Sequence, residues 1–116
     1  MSQIDVAKQI IAEYARHGWQ LRRVLARPSS RAELHAADSF GDSEMIDAAI
    51  DALWFSRPSH AQREAWELRL IAEHPYALFE AFEADETEEQ REEVRREMEN
   101  RMREHTRGKA ARRDPW

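Results

Sequence analysis

Five arginines, Arg16, Arg22, Arg23, Arg27 and Arg31, fall within one stretch that contains no acidic residue, the strongest local excess of positive charge before the C-terminal segment. A guanidinium fork matches a carboxylate or phosphate through two parallel hydrogen bonds. Arg22, Arg23, Arg27 and Arg31 are therefore candidates for holding an anion: a phosphate, an acidic peptide or a nucleic-acid backbone. The competing reading is structural, with these side chains facing the acidic first turns of the last helix or simply solvated. Alternation along a strand would send Arg22 and Arg23 to opposite faces. Aromatic residues stand among the basic ones, but no RRM, KH or zinc-finger pattern accompanies them, so nucleic acid is not an expected partner.

The remaining chemistry-bearing residues form no constellation. His17, His35, His60, His74 and His105 have no second ligand at metal spacing, and Glu73-His74 alone is too little for a metal site. Ser56 and Ser59 lack the glycines of a nucleophile elbow, and the three glycines of the chain compose neither a phosphate loop nor a dinucleotide fingerprint. Glu92 and Glu93 belong to a surface helix, where carboxyl groups are seldom perturbed enough for acid-base work. No catalytic residue, metal or cofactor is nominated, and the reading leans away from an enzyme, although a triad assembled from distant positions would leave no trace in spacing.

Two apolar groups are candidates for contact surfaces. Val94, Met98 and Met102 make a stripe on the last helix that looks too thin for deep burial against a sheet, which suggests self-association as in a coiled-coil seam. The alternative is a solvated helix lying lightly across its own domain. Trp54, Phe55 and Trp66 would form a platform for helices, or an interaction surface if one of them lies on an uncovered sheet face.

The elements that must position these residues are read from periodicity. Ser2 can cap a first helix whose Ile4, Ala7, Ile10, Ile11, Tyr14 and Ala15 share one face, and Gly18 stops it. WQLRRVLAR, between Gly18 and Pro28, suits a short strand with Trp19, Leu21 and Leu25 on one face and Val24 and Ala26 on the other. Ser30 with Glu33 resembles a capping box for a brief helix through Ala37, followed by a loop from Asp38 to Ser43. A loop or short helical start then leads into a strand from about Ile50 to Arg57, with helix to Phe55 as the rival. Trp66, Leu68 and Leu70 alternate with Glu67 and Arg69 as in a half-buried strand, against a rival helix over 60–73, and YALFEAF reads as the third strand of a meander. The last helix runs from Asp85 to His105, started by Asp85 with Glu88 or Thr87 with Gln90, and GKAARRDPW is expected as a mobile basic tail.

Length bounds the whole: 116 residues suffice for one core, so a single domain over 1–107 with a tail over 108–116 is expected. The net charge of -5 offers no global attraction to nucleic acid or anionic lipid. The chain has no cysteine, which removes disulfide partners, thiolate metal sites and thiol nucleophiles. No apolar run reaches a membrane-spanning length, and Asp5 and Glu13 interrupt the first residues, so no membrane is expected and a cytoplasmic location is the default.

The expected fold is two-layer α+β: a small antiparallel sheet, three strands in a meander plus one N-terminal strand, packed with an N-terminal helix and a long C-terminal helix. An all-α bundle is the alternative. The leading functional expectation is a small non-catalytic interaction protein that associates with itself, or with another protein, through the C-terminal helix or an open sheet edge. The alternatives are an anion or nucleic-acid binder acting through residues 16–31, and a small enzyme or ligand-binding protein with a pocket between sheet and helices.

Overall fold

The computed structural model describes residues 3–35, 40 and 43–111. Three helices and five strands follow the order α1 (Gln3–Arg16), β1 (Gln20–Ala26), α2 (Pro28–His35), β2 (Glu44–Asp47), β3 (Ala52–Pro58), β4 (Glu64–Leu70), β5 (Ala77–Phe82) and α3 (Glu88–Ala111). The fold is α+β, around an open mixed sheet of order β2-β1-β3-β4-β5. β3, β4 and β5 form the expected antiparallel meander. The rival helix over 60–73 is replaced by a single turn at His60–Gln62 and the strand β4.

Sheet and layers are larger than expected. The segment Glu44–Asp47 is a strand, and because the β1–α2–β2 connection is a crossover, β2 lies parallel to β1 at one edge. Only four residues long, it is masked in the sequence by the helix-like spacing of Met45, Ile46, Ala49 and Ile50. The helices also lie on both faces of the sheet, giving three layers instead of two. Val6 and Ile10 of α1 and Leu34 of α2 pack on Val24, Ala26, Leu53 and Phe55. On the other face Met98 and Met102 of α3 pack on Leu25, Trp54, Trp66, Leu68 and Phe82. The central strands permit this because Val24–Ala26 and Ala52–Phe55 are buried at every position, the pattern of strands covered on both sides.

Local chemistry sets the element ends. Gly18, at φ +84, closes α1 with Gly18 N–H donating to Ala15 O and Trp19 N–H to Tyr14 O, a Schellman arrangement. α2 starts at Pro28, a residue preorganised for the first helical position, two residues ahead of the expected Ser30 cap. Ser30 turns inward instead, its hydroxyl donating to Asp51 at 2.7 Å. Of the two possible starts for α3 the chain uses Thr87 with Gln90: each side chain accepts from the other's backbone N–H, at 2.9 and 3.1 Å. Gly108 does not end this helix, which continues to Ala111, and the rest of the expected tail lies outside the described residues.

A bulge in β1 changes which side chains share a face. Leu21 pairs with Phe55 and Arg23 with Trp54, so two residues of β1 advance against one of β3, and Arg22 is the extra residue. Strict alternation placed Trp19, Leu21 and Leu25 together. In the fold Trp19 and Leu21 join the α1 side, while Leu25 lies on the α3 side.

Candidate interaction surface

The bulge also removes the expected separation of Arg22 and Arg23. Both guanidinium carbons lie near the Trp66 ring, at 5.9 and 5.8 Å from its centroid. Arg23 makes a two-pronged pair with Glu92 of α3 at 2.9 and 2.8 Å. This hydrogen bond holds the Glu92 carboxyl below its usual range, against a smaller desolvation that raises it. The same pairing raises Arg23. Arg27 donates its backbone N–H, Nε and Nη2 to the buried carboxylate of Asp51 at 2.8, 3.1 and 2.9 Å. Arg31 pairs with Asp47 at the surface. Three of the four nominated guanidiniums are thus already matched by carboxylates of the same chain, one on the acidic start of the last helix.

The stripe on α3 faces its own sheet. Met98 and Met102 are buried there and Val94 is partly buried against the same cluster. Arginine stems widen the stripe: Arg95 is 1% exposed, and Arg91 and Arg95 lie 5.7 and 5.4 Å from the Phe82 ring. Val94, Met98 and Met102 alone look too thin for burial; the methylenes and planar heads of Arg91 and Arg95 extend the stripe. Trp54, Phe55 and Trp66 are all core residues. Among the described residues no group of histidine and carboxylate side chains could hold a metal ion, and no helix is long and apolar enough to cross a membrane.

An open surface arises because α1 stacks Tyr14 on Phe55 of β3, at 4.2 Å between centroids, and leaves the same face of β4 and β5 without a helix. This face carries Glu67 and Arg69 of β4 beside Phe79 and Ala77 of β5. Phe79, 58% exposed, is the exposed large hydrophobic residue of the described chain. Trp19 meets it edge-on at 6.4 Å, and Arg57 sits 4.5 Å over the other partner of that pair, Trp19. Between α1 and the end of β4 lies a groove of about 390 Å³, lined by Val6, Gln9, Ile10, Glu13, Tyr14, Arg69, Ala72 and Glu73. Phe79 does not stand out within the strand-like YALFEAF, because its exposure follows from the missing helix, which no local pattern encodes.

The two sheet edges differ in protection. β2 is short and charged at both ends, with Glu44 near Arg23 and Asp47 paired to Arg31. β5 has six residues, ALFEAF, with Glu80 as its single charge and no proline. Natural edges are usually blunted by brevity, charge or proline, and β5 uses little of this. No family model, curated protein or solved structure matches the chain.

Proposed function

We propose that the protein is a non-catalytic interaction module that associates with a second copy of itself through the outer edge of β5. The supporting observation is the pairing of an unprotected six-residue edge with an exposed phenylalanine at its middle. A two-fold axis perpendicular to the sheet sets the strands antiparallel, with equivalent faces on the same side, so only registers that pair like-facing residues are allowed. Of the two registers that use nearly the whole strand, one places Glu80 opposite Glu80 of the partner subunit, a like-charge contact. The other places Phe79 opposite its own copy and Leu78 opposite Glu80 of the partner subunit. Cross-strand aromatic pairs stabilise and like charges directly opposite do not, which selects the register centred on Phe79.

Because the chain has no cysteine, one engineered thiol reports that register. Directly opposed residues of antiparallel strands lie about 4.5–5.5 Å apart between Cα atoms, within disulfide reach. Phe79→Cys is expected to give an oxidised covalent dimer, and Glu93→Cys, on the exposed side of α3, is not. Light scattering over a concentration series is expected to show mass rising toward a dimer, with Phe79→Lys held as a monomer. A wild-type mass that stays monomeric throughout the series, or cross-linking no greater for Phe79→Cys than for Glu93→Cys, would overturn the reading.

A further inference from the structure

The groove between α1 and β4 carries a second inference, independent of the β5 edge. Its floor is apolar, formed by the buried Val6 and Ile10 and the ring of Tyr14. Arg69 enters it from β4, half-buried between Leu53 on β3 and Ala77 on β5, its partners in register. One Nη of Arg69 donates to Leu70 O at 2.9 Å. Arg69 forms no ion pair with a described residue. A guanidinium held over apolar neighbours with donors left over is a receptor for a carboxylate.

The rim has the opposite sign. Glu73 is exposed there, while Glu13 is engaged by Arg16 and His17 along the helix. The nearby Glu67 accepts from the Tyr14 hydroxyl. A simple anion would gain Arg69 and meet Glu73, and a simple cation would gain Glu73 and meet Arg69. A ligand with both charges on neighbouring atoms and an apolar remainder satisfies all three parts of the groove. We infer that this groove binds a free α-amino acid with an aliphatic side chain: carboxylate on Arg69, ammonium on Glu73, side chain against Val6, Ile10 and the Tyr14 ring. The volume of about 390 Å³ is at the small-molecule end of binding pockets and too little for a folded partner.

Isothermal titration calorimetry with L-leucine, leucinamide and N-acetylleucine tests this. Saturable binding of leucine is expected, with each capped compound weaker by about tenfold or more, since each loses one charge-assisted contact. Arg69→Gln and the exposed Glu73→Gln are each expected to weaken leucine binding by about tenfold or more while circular dichroism stays that of the wild type. The rim variant guards against a folding defect in the other. Absence of saturable heat with leucine at millimolar concentration overturns the inference. So does equal binding of N-acetylleucine, which would mark a carboxylate or peptide C-terminus site, or equal binding of leucinamide, which would mark an amine site. Undiminished binding by both folded variants also overturns it.

Discussion

The guanidinium carbon of Arg95 lies 3.8 Å from the ring centroid of Trp66, and Arg95 is all but excluded from solvent. α3, the most highly charged element, thus docks on the sheet through an arginine used as a flat apolar surface. Its Nη1 reaches Glu88 at 3.2 Å and Glu92 at 3.6 Å, and its Nε has no partner. If packing on Trp66 dominates, Arg95→Met should hold stability to within about 1 kcal/mol, as a volume-conserving exchange does. Arg95→Ala should lose about 2–5 kcal/mol, the range for emptying a buried side-chain site. Urea denaturation separates the two, and equal losses would assign the site to ion pairing instead.

Asp51 is the polar hub of the opposite helical layer. Besides Arg27, its carboxylate accepts from the Ser30 hydroxyl at 2.7 Å and from Gln3 Nε2 at 2.8 Å, so one buried side chain ties the β2–β3 connection to the starts of both α1 and α2. Asp51→Asn turns an amide N–H₂ toward donors and leaves at least one of them unmatched. The expected loss is about 2–3 kcal/mol by chemical denaturation, from hydrogen bonds to a charged group. Faster proteolysis within α1 should accompany it, since Gln3 loses its acceptor. Stability unchanged from the wild type would count against the hub.

Much of this architecture was legible because its signals are local. Gly18 stops α1, Trp66 and Leu68 alternate onto one face of β4, and Thr87 with Gln90 caps α3. What escaped depends on distant partners. The Glu44–Asp47 strand needs β1 beside it to be a strand at all, and the bulge at Arg22 becomes visible only against β3. The candidate surface was legible in part: self-association at an open sheet edge was an expectation, but Phe79 and Arg69 gain their meaning from a helix that is not over them. The role of Arg95 is hidden for a related reason, because charge in a sequence says nothing about what the planar head will lie on.

The β3–β4 connection has the geometry of a primed turn without the residues that favour it. Arg63 N–H donates to His60 O at 3.1 Å, and the two central residues, Ala61 and Gln62, have φ of 57 and 61. Left-handed backbone costs an L-residue roughly 1–2 kcal/mol, and asparagine followed by glycine is the pair that relieves it. Gln62→Gly should stabilise by about 0.5–1 kcal/mol after allowance for the added freedom of the unfolded chain, and Ala61→Asn with Gln62→Gly by more. Thermal melts report this directly. A destabilised Gln62→Gly would show that the turn is held by something other than backbone preference.

Tyr14 joins the core to the open groove: its ring stacks on Phe55 and its hydroxyl donates to Glu67. Burial above all, then the hydrogen bond and charge of Glu67, push its ionisation well above the ordinary tyrosine value, with Arg69 opposing. The folded state therefore keeps a proton that the unfolded chain releases near its ordinary value of about 10. The resulting stabilisation is complete below that value and is lost as pH climbs past it toward the raised folded value. Tyr14→Phe keeps the stack and removes the titration, so its urea midpoint should fall less steeply between about pH 9 and pH 11 than that of the wild type. Parallel alkaline limbs for the two proteins would mean that Tyr14 ionises as freely in the fold as outside it.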